Sequence, residues 1–500
     1  MIRRLLIANR GEIALRIIRA CRELDIETVA VYSDADARAP HALAADRAEH
    51  LGASPAPESY LNASKLLDAA RRAGADAIHP GYGFLSERAQ FARACEEAGF
   101  TFVGPPATAI EQMGSKIDAR QLMQRAGIPV VPGLSPPNQS DAALEEAVKT
   151  IGFPALIKPS AGGGGIGMKT VRQPGDVLDA VQRARREAEA AFGDGTLYVE
   201  RLVERPRHVE IQVFADRHGN VVHLFERECS IQRRHQKTIE ESPCPALSPS
   251  VRQRMGAAAV SAAQAAGYVN AGTVEFLLEG DGDGAHFFFL EMNTRLQVEH
   301  PVTELVTGLD LVRAQLLVAG GEPLPWAQAD VTQRGHAIEC RIYAEDPAQD
   351  FLPQAGTLLM YREPEGPGIR VDAGVVEGGE ISVFYDPLLA KLIVSAETRD
   401  AAIARAVVAL QQYVVLGIRT NIAFLLSILE DARFRSGDVH TGFLDTEGAG
   451  LRTADGTEDV PAAALAASAF HDADGGGTST PRGVSARHDP FDRLRGWGLQ

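Results

Sequence analysis

Residues 291–304 read EMNTRLQVEHPVTE, and they follow HFFFL, an apolar run rich in aromatic residues. Such a run predicts a β-strand, in which successive side chains point to opposite faces. On strict alternation, Glu291 and Asn293 share a face with Phe287 and Phe289. We therefore expect this strand to carry two polar groups to its end, where a charged segment begins.

An earlier apolar run, GTVEFLLE, is joined to that strand by GDGDG, a composition typical of turns. The two runs predict an antiparallel hairpin. Glu275 and Glu291 are equally far from Asp283 in the middle of the turn, so they should lie nearly opposite each other. Facing carboxylates repel. They either point to solvent or share a divalent cation, and the apolar neighbours on both strands favour the cation. Carboxylate and amide oxygens suit Mg²⁺, which completes its shell with nucleotide phosphates.

The chain has 500 residues, of which 45% are hydrophobic, and a net charge of −16. This composition predicts a soluble globular protein of roughly three domains. The acidic balance argues against a nucleic-acid binder, because affinity for phosphate backbones needs a basic surface. The five cysteines include no CxxC pair, no apolar run approaches the roughly 20 residues of a membrane span, and the N-terminus has no cleavable leader pattern. We therefore expect a cytoplasmic protein that makes no membrane contact.

Strand and helix patterns divide the chain into four parts. Residues 1–115 alternate short apolar strands with helices, which predicts a parallel α/β sheet. Residues 116–203 hold linker helices and a smaller unit with a glycine-rich segment, and residues 204–445 form a large α+β region. Residues 446–500 are rich in Ala, Gly, Asp and Thr, which predicts a low-complexity linker and the start of a further domain that the chain does not complete.

The glycine-rich segment AGGGGIG lies between two strand-like runs, ALIKP and MKTV. It lacks the GK[ST] ending of a Walker loop, so we interpret it as a mobile flap whose amides close over phosphates. A plain flexible linker is the alternative. Lys158 in ALIKP lies among apolar residues, where a charge needs a partner, and its position just before the glycines favours the flap.

Three further segments bring polar side chains together. In RHVEIQVFAD the residues His208, Glu210 and Gln212 share one face, and in GHAIECRIY Arg341 lies on a polar face. The segment IQRRHQKTIEESP gathers several cations. Most runs of this kind are solvated loops, but the nearness of this one to the carboxylate hairpin favours a site.

Seven motifs together resemble a known family: IANRGEIALRI, HPGYGFLSE, AGGGGIGM, RHVEIQV, SIQRRHQK, EMNTRLQVEHPVTE and ECRIYAEDP. They are similar to the biotin carboxylase component of biotin-dependent acyl-CoA carboxylases, an ATP-grasp enzyme, in consistent order over residues 1–445. The resemblance implies an α/β N-terminal parallel-sheet domain, two ATP-grasp α+β subdomains that clamp ATP, and a C-terminal mixed α+β region. It also implies ATP, Mg²⁺ or Mn²⁺, and biotin on a carrier domain as cofactors.

The resemblance implies a set of ATP-binding residues, which matches the family motifs position by position: Lys116, Lys158, Gly164, Gly165, Glu200, Arg201, Leu202, Val203, His208, His235, Glu275 and Glu291. Glu275, Glu291 and Asn293 would hold the metal. The family commonly has a basic residue where this chain has Ile166, so we expect looser ATP binding here.

The family reaction first joins bicarbonate to the γ-phosphoryl group of ATP and then moves the carboxyl group to biotin. The resemblance implies that bicarbonate is held by Lys237, Arg295, Gln297 and Val298. A forked guanidinium and a point charge suit this small planar anion. Glu299 resembles the general base that deprotonates bicarbonate. Arg341 resembles the residue that stabilises the biotin enolate, an oxyanion that needs a fixed cation.

The segments GGEISVFYDPLLAKLIV and HDPFDRLRGWGLQ look most like the α subunit of methylcrotonyl-CoA and related acyl-CoA carboxylases. No AMKM-type segment follows, so we expect either a truncated chain or an enzyme that uses a biotinyl carrier in trans, with a carboxyltransferase partner. A homo-oligomer, a dimer or larger, is expected. Two rival functions are an ATP-grasp ligase that joins a carboxylate to an amine and an inactive nucleotide-binding scaffold. The segments RRHQK and NTRLQVEH argue against the ligase, and the presence of Lys237, Arg295 and Glu299 together argues against the scaffold.

Overall fold

Five parallel strands organise the first part of the computed structural model, which describes residues 2–161 and 165–451. In chain order the elements are β1 (Arg4–Ile7), α1 (Gly11–Glu23), β2 (Glu27–Ser33), α2 (Pro40–Ala44), β3 (Arg47–Gly52), α3 (Ala63–Ala73), β4 (Ala77–His79), α4 (Ala89–Glu97), β5 (Thr101–Phe102) and α5 (Ala107–Gly114). The strand order is β3-β2-β1-β4-β5, with parallel neighbours throughout. The predicted parallel α/β sheet is confirmed. Its β1 and β4 are neighbours, so the loops at their carboxyl ends lie side by side.

A smaller antiparallel sheet follows. Its elements are α6 (Lys116–Arg125), β6 (Gly133–Leu134), α7 (Asp141–Ile151), β7 (Ala155–Pro159), β8 (Lys169–Val171), α8 (Val177–Phe192) and β9 (Leu197–Arg201). The strand order is β6-β9-β7-β8, and α7 and α8 pack their apolar side chains on it. The glycine segment connects β7 to β8, as predicted. Gly164 lies outside the described residues.

The rest of the described chain is built on one long antiparallel sheet. Its elements are β10 (Arg207–Ala215), β11 (Val221–Arg233), β12 (Gln236–Ser242), α9 (Pro249–Ala265), β13 (Asn270–Glu279), β14 (His286–Asn293), α10 (His300–Thr307), α11 (Leu311–Ala319), β15 (His336–Tyr343), β16 (Glu345–Asp346), β17 (Leu352–Pro353), β18 (Gly356–Thr357), β19 (Met360–Arg362), β20 (Ile369–Ala373), β21 (Glu380–Ile381), β22 (Leu388–Ala396), α12 (Arg399–Gln412), β23 (Val414–Leu416), α13 (Ile422–Glu430), α14 (Ala432–Ser436) and α15 (Phe443–Thr446). The sheet order is β14-β13-β10-β11-β12-β15-β22-β20. This continuous sheet places β12, β13, β14 and β15 close enough to share one site.

The faces of β10 alternate as the sequence predicts. Val209, Ile211 and Val213 pack into an apolar core with β13 and α9. His208 and Glu210 point to the other face, yet both are also buried. A polar face that is buried must find charged or hydrogen-bonding partners, because unpaired charges are costly there.

The hairpin of β13 and β14 contains a bulge that strict alternation does not anticipate. Glu275 pairs with Glu291, as predicted, but Phe276 pairs with Phe289, so one extra residue of β14 lies between the two pairs. Met292 therefore joins the same apolar core as Phe287 and Phe289. The predicted common face of Glu291 with these two phenylalanines is wrong. A one-residue bulge reverses the face on which the following side chains lie, so the Glu291 carboxylate faces away from the apolar core.

Among the described residues, no helix combines the length and the apolar character needed to cross a membrane.

Candidate active site

The two facing glutamates of the hairpin are each bound by a lysine. Glu291 accepts a hydrogen bond from Lys116 Nζ at 2.5 Å, and Glu275 Oε1 accepts one from Lys237 Nζ at 2.9 Å. His208 Nε2 lies 2.9 Å from Glu275 Oε2. Burial alone would raise the pKa of Glu275, but Lys237 and His208 hold it well below its usual value. Each carboxylate thus has a cationic partner, which offsets the repulsion between the two.

The donor set at this hairpin fits a hard divalent cation. Glu275 lies in the middle of β13 beside the bulge, Glu291 and Asn293 lie at the end of β14, and Asn293 Nδ2 donates to Glu275 Oε1 at 2.8 Å. His208, Glu210 and Glu275 also offer ligand atoms that lie within 4.8 Å of one another. Carboxylate and amide oxygens favour Mg²⁺ or Mn²⁺ over softer metals.

Lys237 is the central cation of the site. Its Nζ donates to Glu210 Oε2 at 2.6 Å, Glu275 Oε1 at 2.9 Å and Glu299 Oε1 at 2.6 Å. Burial alone would lower the pKa of this lysine, but the three carboxylates hold it well above its usual value. Lys237 therefore stays protonated and can attract a small anion.

Glu299 is fully buried between two cations. Its Oε1 accepts from Lys237, and its Oε2 accepts from Arg341 Nη2 at 2.9 Å. Burial would raise the pKa of Glu299, but Lys237 and Arg341 lower it well below its usual value. The side chain is therefore a carboxylate in this structure, and it can hold a proton only while its bonds to the two cations are weakened.

Arg295 lies on the other side of the same cluster. Its Nε donates to Glu87 Oε2 at 3.0 Å and its Nη1 donates to Gln297 Oε1 at 3.0 Å. Gln297 Nε2 in turn reaches Glu275 Oε1 at 3.4 Å. Lys237 and Gln297 thus both contact Glu275, and Arg295 joins this cluster through Gln297, as expected for residues that bind one small ligand.

Lys158 has the partner that its apolar position requires. Its Nζ donates to Glu200 Oε2 at 3.0 Å, while Arg120 Nη1 donates to Glu200 Oε1 at 2.7 Å. The Arg201 side chain turns the other way and forms a two-bond ion pair with Glu279. Within the predicted segment 200–203, Glu200 is therefore the charged residue whose side chain contacts Lys158. Leu202 donates its backbone N–H to the Pro154 carbonyl, and Val203 is a buried apolar residue.

The described end of the flap lies against the loop between β11 and β12. A Cβ on Gly165 would overlap the imidazole of His235, and the φ of Gly165 is +76°. Burial lowers the pKa of His235, so the ring is neutral at pH 7. Ile166, the next residue of the flap, is half exposed. Gly165 of the flap and His235 are therefore in contact on the side of the site where the ATP phosphates are predicted.

Three family models match consecutive parts of the chain. They describe the N-terminal domain of biotin carboxylase (residues 1–110), the ATP binding domain of the carbamoyl-phosphate synthase L chain (residues 115–327) and the C-terminal domain of biotin carboxylase (residues 339–446). The chain belongs to the biotin carboxylase family. The resemblance inferred from the seven motifs is thereby confirmed.

Individual relatives agree with this assignment. The biotin carboxylase of Halalkalibacterium halodurans is 53% identical over 450 residues, which are 89% of this chain and 97% of that protein. The mitochondrial methylcrotonoyl-CoA carboxylase subunit alpha of Glycine max is 51% identical over 444 residues, 89% of this chain but 60% of that subunit. The solved biotin carboxylase domain dimer of the Hydrogenobacter thermophilus 2-oxoglutarate carboxylase, in complex with MgADP, ADP and bicarbonate, matches with a TM-score of 0.87 and 45% identity, over 91% of this chain and 100% of that one. The predicted fold class is confirmed.

Sequence reasoning missed several charged residues beside the predicted set, among them Glu87 and Lys391. Glu87, at the end of HPGYGFLSE, binds Arg295. Lys391 is fully buried and donates from Nζ to the Val298 carbonyl at 2.7 Å. A signal for Lys391 was available, because a lysine inside the apolar run LLAKLIV needs a partner as much as Lys158 does.

Proposed function

We propose that this chain catalyses the ATP- and bicarbonate-dependent carboxylation of biotin, the first half-reaction of a biotin-dependent carboxylase. One observation carries the proposal: Glu299 is held between Lys237 and Arg341, and the same Lys237 contacts the Glu275 carboxylate of the predicted metal pair. A base, an anion-binding cation and a metal-binding carboxylate thus share one buried cluster. Neither a scaffold nor a simple carboxylate–amine ligase needs this combination.

The proposed domain division follows the sheets. The five-stranded sheet belongs to residues 1–115, the four-stranded sheet to residues 116–203, and the eight-stranded sheet lies wholly within residues 204–445. Residues 446–500, proposed as a linker and the start of a further domain, fall largely outside the described residues.

We assign the nucleotide to the space between the flap and the hairpin. The proposed ATP ligands are those named from the family motifs: Lys116, Lys158, Gly164, Gly165, Glu200, Arg201, Leu202, Val203, His208, His235, Glu275 and Glu291. The contact of Gly165 with His235 and the burial of Lys158 and His208 support this assignment. Mg²⁺ or Mn²⁺ on Glu275, Glu291 and Asn293 would supply positive charge for the phosphate oxygens.

In the proposed first step, bicarbonate lies among Lys237, Arg295, Gln297 and the backbone of Val298. Glu299 accepts the bicarbonate proton, and the freed oxygen attacks the γ-phosphorus of ATP, so that carboxyphosphate forms and ADP leaves. The low pKa of Glu299 makes the protonated carboxyl short-lived. Because bicarbonate competes with Glu299 for Lys237, its arrival weakens the bond that keeps this pKa low.

In the proposed second step, the bond between the carboxyl carbon and the phosphate oxygen of carboxyphosphate breaks and the carboxyl group bonds to the ureido nitrogen of biotin. Phosphate leaves and takes up the proton of the ureido N–H. The guanidinium of Arg341 stabilises the negative charge that develops on the ureido oxygen. Burial would lower the pKa of Arg341, but Glu240 and Glu299 hold it well above its usual value, so the charge is permanent.

The first test is Glu299→Gln. The amide keeps the shape of the side chain but cannot accept the proton, so bicarbonate-dependent ATP cleavage should fall by at least about 100-fold. Folding and Mg-ATP binding should persist. Phosphate release with and without bicarbonate measures the change, and the exposed Glu322→Gln is the matched control. Near-normal turnover of Glu299→Gln would remove Glu299 from the mechanism.

We further propose that the chain works with a biotinyl carrier and a carboxyltransferase, as a homo-oligomer, and that the final acceptor is methylcrotonyl-CoA or a related acyl-CoA. The similarity to the Glycine max subunit supports this acceptor. A reconstituted assay should therefore show label from bicarbonate entering methylcrotonyl-CoA only when all components are present. Labelling of 2-oxoglutarate instead would contradict the acyl-CoA proposal and leave the biotin carboxylation proposal intact. The cytoplasmic location stays a prediction.

A further inference from the structure

Arg341 is held by two carboxylates. Glu240 lies on β12, and its Oε1 is 2.5 Å from both Nε and Nη2 of Arg341. Glu299 accepts from the same Nη2 at 2.9 Å. Both glutamates are fully buried. The guanidinium proposed to face biotin is therefore clamped between the proposed base and a second carboxylate that has no role in the reaction so far.

Glu240 binds Arg341 through one oxygen. Its second oxygen, Oε2, is buried and has no hydrogen-bond partner among the described residues. Glu299 differs, because its two oxygens are bound by Lys237 and Arg341 respectively. Removing Glu240 would thus change the surroundings of Arg341 and leave the Lys237–Glu299 bond in place.

We propose that Glu240 is a positioning residue, which keeps Arg341 oriented toward biotin while Glu299 carries the proton taken from bicarbonate. This inference rests on the proposed function. When the proton moves from the bicarbonate O–H to a Glu299 oxygen, the O–H electron pair stays on bicarbonate and Glu299 becomes neutral. Arg341 then loses one of its two ionic partners. Charge-assisted bonds are about twice as strong as neutral ones, so the bond to Glu240 becomes the one that holds the guanidinium.

The electrostatics of the pair are consistent with this exchange. Burial raises the pKa of Glu240 to about 7, with Arg341 lowering it and the charge of Glu299 raising it. Once Glu299 is neutral, that repulsion disappears, and Glu240 holds its negative charge more readily. The two carboxylates are coupled through the one guanidinium, so a proton on Glu299 favours the charged form of Glu240.

The neighbouring strand supplies a matched control. Glu339 on β15 lies directly opposite Glu240 in the register of the sheet and is equally buried. Neither of its carboxyl oxygens has a hydrogen-bond partner among the described residues. A Glu→Gln change at position 339 therefore alters the same chemical group in the same sheet without touching the Arg341 clamp.

The experiment compares two reactions of the purified chain: bicarbonate-dependent ATP cleavage without biotin, and its acceleration by free biotin. In Glu240→Gln we expect the biotin-dependent kcat to fall by at least about tenfold, which corresponds to about 1.4 kcal/mol. ATP cleavage without biotin and the KM for ATP should stay within about twofold. Glu240→Asp, which keeps the charge, should recover part of the biotin-dependent rate. Glu339→Gln should leave both reactions within about twofold.

The outcomes separate the two proposals. A wild-type chain that shows no bicarbonate-dependent ATP cleavage refutes the proposed function itself. If the wild-type chain is active and Glu240→Gln matches it in both reactions, Glu240 is not a positioning residue. Equal losses in both reactions, or no recovery in a folded Glu240→Asp, would assign Glu240 a merely structural role and overturn the inference.

Discussion

The charge state of each buried carboxylate at or near this site depends on whether a cationic side chain lies beside it. Glu275 and Glu291 face each other, yet Lys237 and Lys116 neutralise them. Glu339 is fully buried, and its carboxyl oxygens have no hydrogen-bond partner in the described part of the chain. Desolvation of such a carboxylate is costly, so burial raises the pKa of Glu339 well above its usual value. The folded protein therefore keeps Glu339 protonated at pH values where the unfolded chain does not.

This difference predicts a pH-dependent effect of Glu339→Gln on stability. Between the unfolded and folded pKa values of Glu339, the unfolded state binds fewer protons than the folded state. The free energy of unfolding of the wild-type chain therefore falls as pH rises, by up to about 1.4 kcal/mol per pH unit from this group. Glutamine does not titrate, so the variant should gain stability relative to wild type from pH 5.5 to pH 7.5 in urea denaturation.

The exposed Glu322→Gln controls for the loss of one acidic side chain. Parallel stability curves for Glu339→Gln and the wild-type chain would contradict the prediction. They would mean that Glu339 is ionised in the folded state.

The flap and the β11–β12 loop contact each other at Gly165, a residue without a side chain. Gly165 has a φ of +76°, a left-handed value that favours glycine, and its Cα lies against His235. Any Cβ there meets both backbone strain and the imidazole ring. The connection between β7 and β8 can therefore reach His235 only with glycine at this position.

Gly165→Ala should raise the KM for ATP by about tenfold, equivalent to about 1.4 kcal/mol of lost binding. The alanine prevents the flap from lying against His235, whereas Lys158 and the hairpin are unaffected. Steady-state kinetics with varied ATP measure the change. Gly175→Ala is the control, because Gly175 does not have a positive φ and a Cβ there would meet nothing within 4 Å. Equal KM values for the two variants would show that the flap does not close on His235 during catalysis.

At the scale of the whole described chain, Lys391 connects three distant parts of the sequence. Its Nζ lies 2.7 Å from the Val298 carbonyl, 3.3 Å from Glu12 on α1 and 4.0 Å from Asp372 on β20. The N-terminal sheet region, the loop that carries Glu299 and the C-terminal strands thus share one buried cation. Its removal would leave two carboxylates without this counter-charge.

Lys391→Met should therefore destabilise the chain by about 3–5 kcal/mol, the usual cost of breaking a buried ion pair from one side. Thermal denaturation followed by circular dichroism measures the effect. The matched control is Lys149→Met, since Lys149 forms an exposed i, i+4 pair with Glu145, and such solvent-screened pairs contribute little to stability. A loss of under about 1 kcal/mol in Lys391→Met would show that the buried carboxylates are neutral without the lysine.

Several features of the fold depend on local order alone and can be predicted from the amino-acid sequence. The parallel sheet, the polar face of β10 and the hairpin of β13 and β14 all follow from short-range periodicity and turn composition. Beside the turn Glu279 pairs with His286, and the one-residue bulge then brings Glu291, rather than Leu290, opposite Glu275. The seven motifs identify the family from the sequence because each of them is a continuous segment of the chain.

Which charged side chains share a partner depends on contacts between distant segments of the chain. The bulge in β14, the clamp of Glu240 and Glu299 on Arg341, and the reach of Lys391 to Val298 join residues that are far apart in sequence or shifted by one position. Periodicity indicates which side chains leave a strand on the same face, but not which strand lies next to it. The pKa of a buried group depends on burial and on charges within a few ångströms, so it is set by the packing of distant segments.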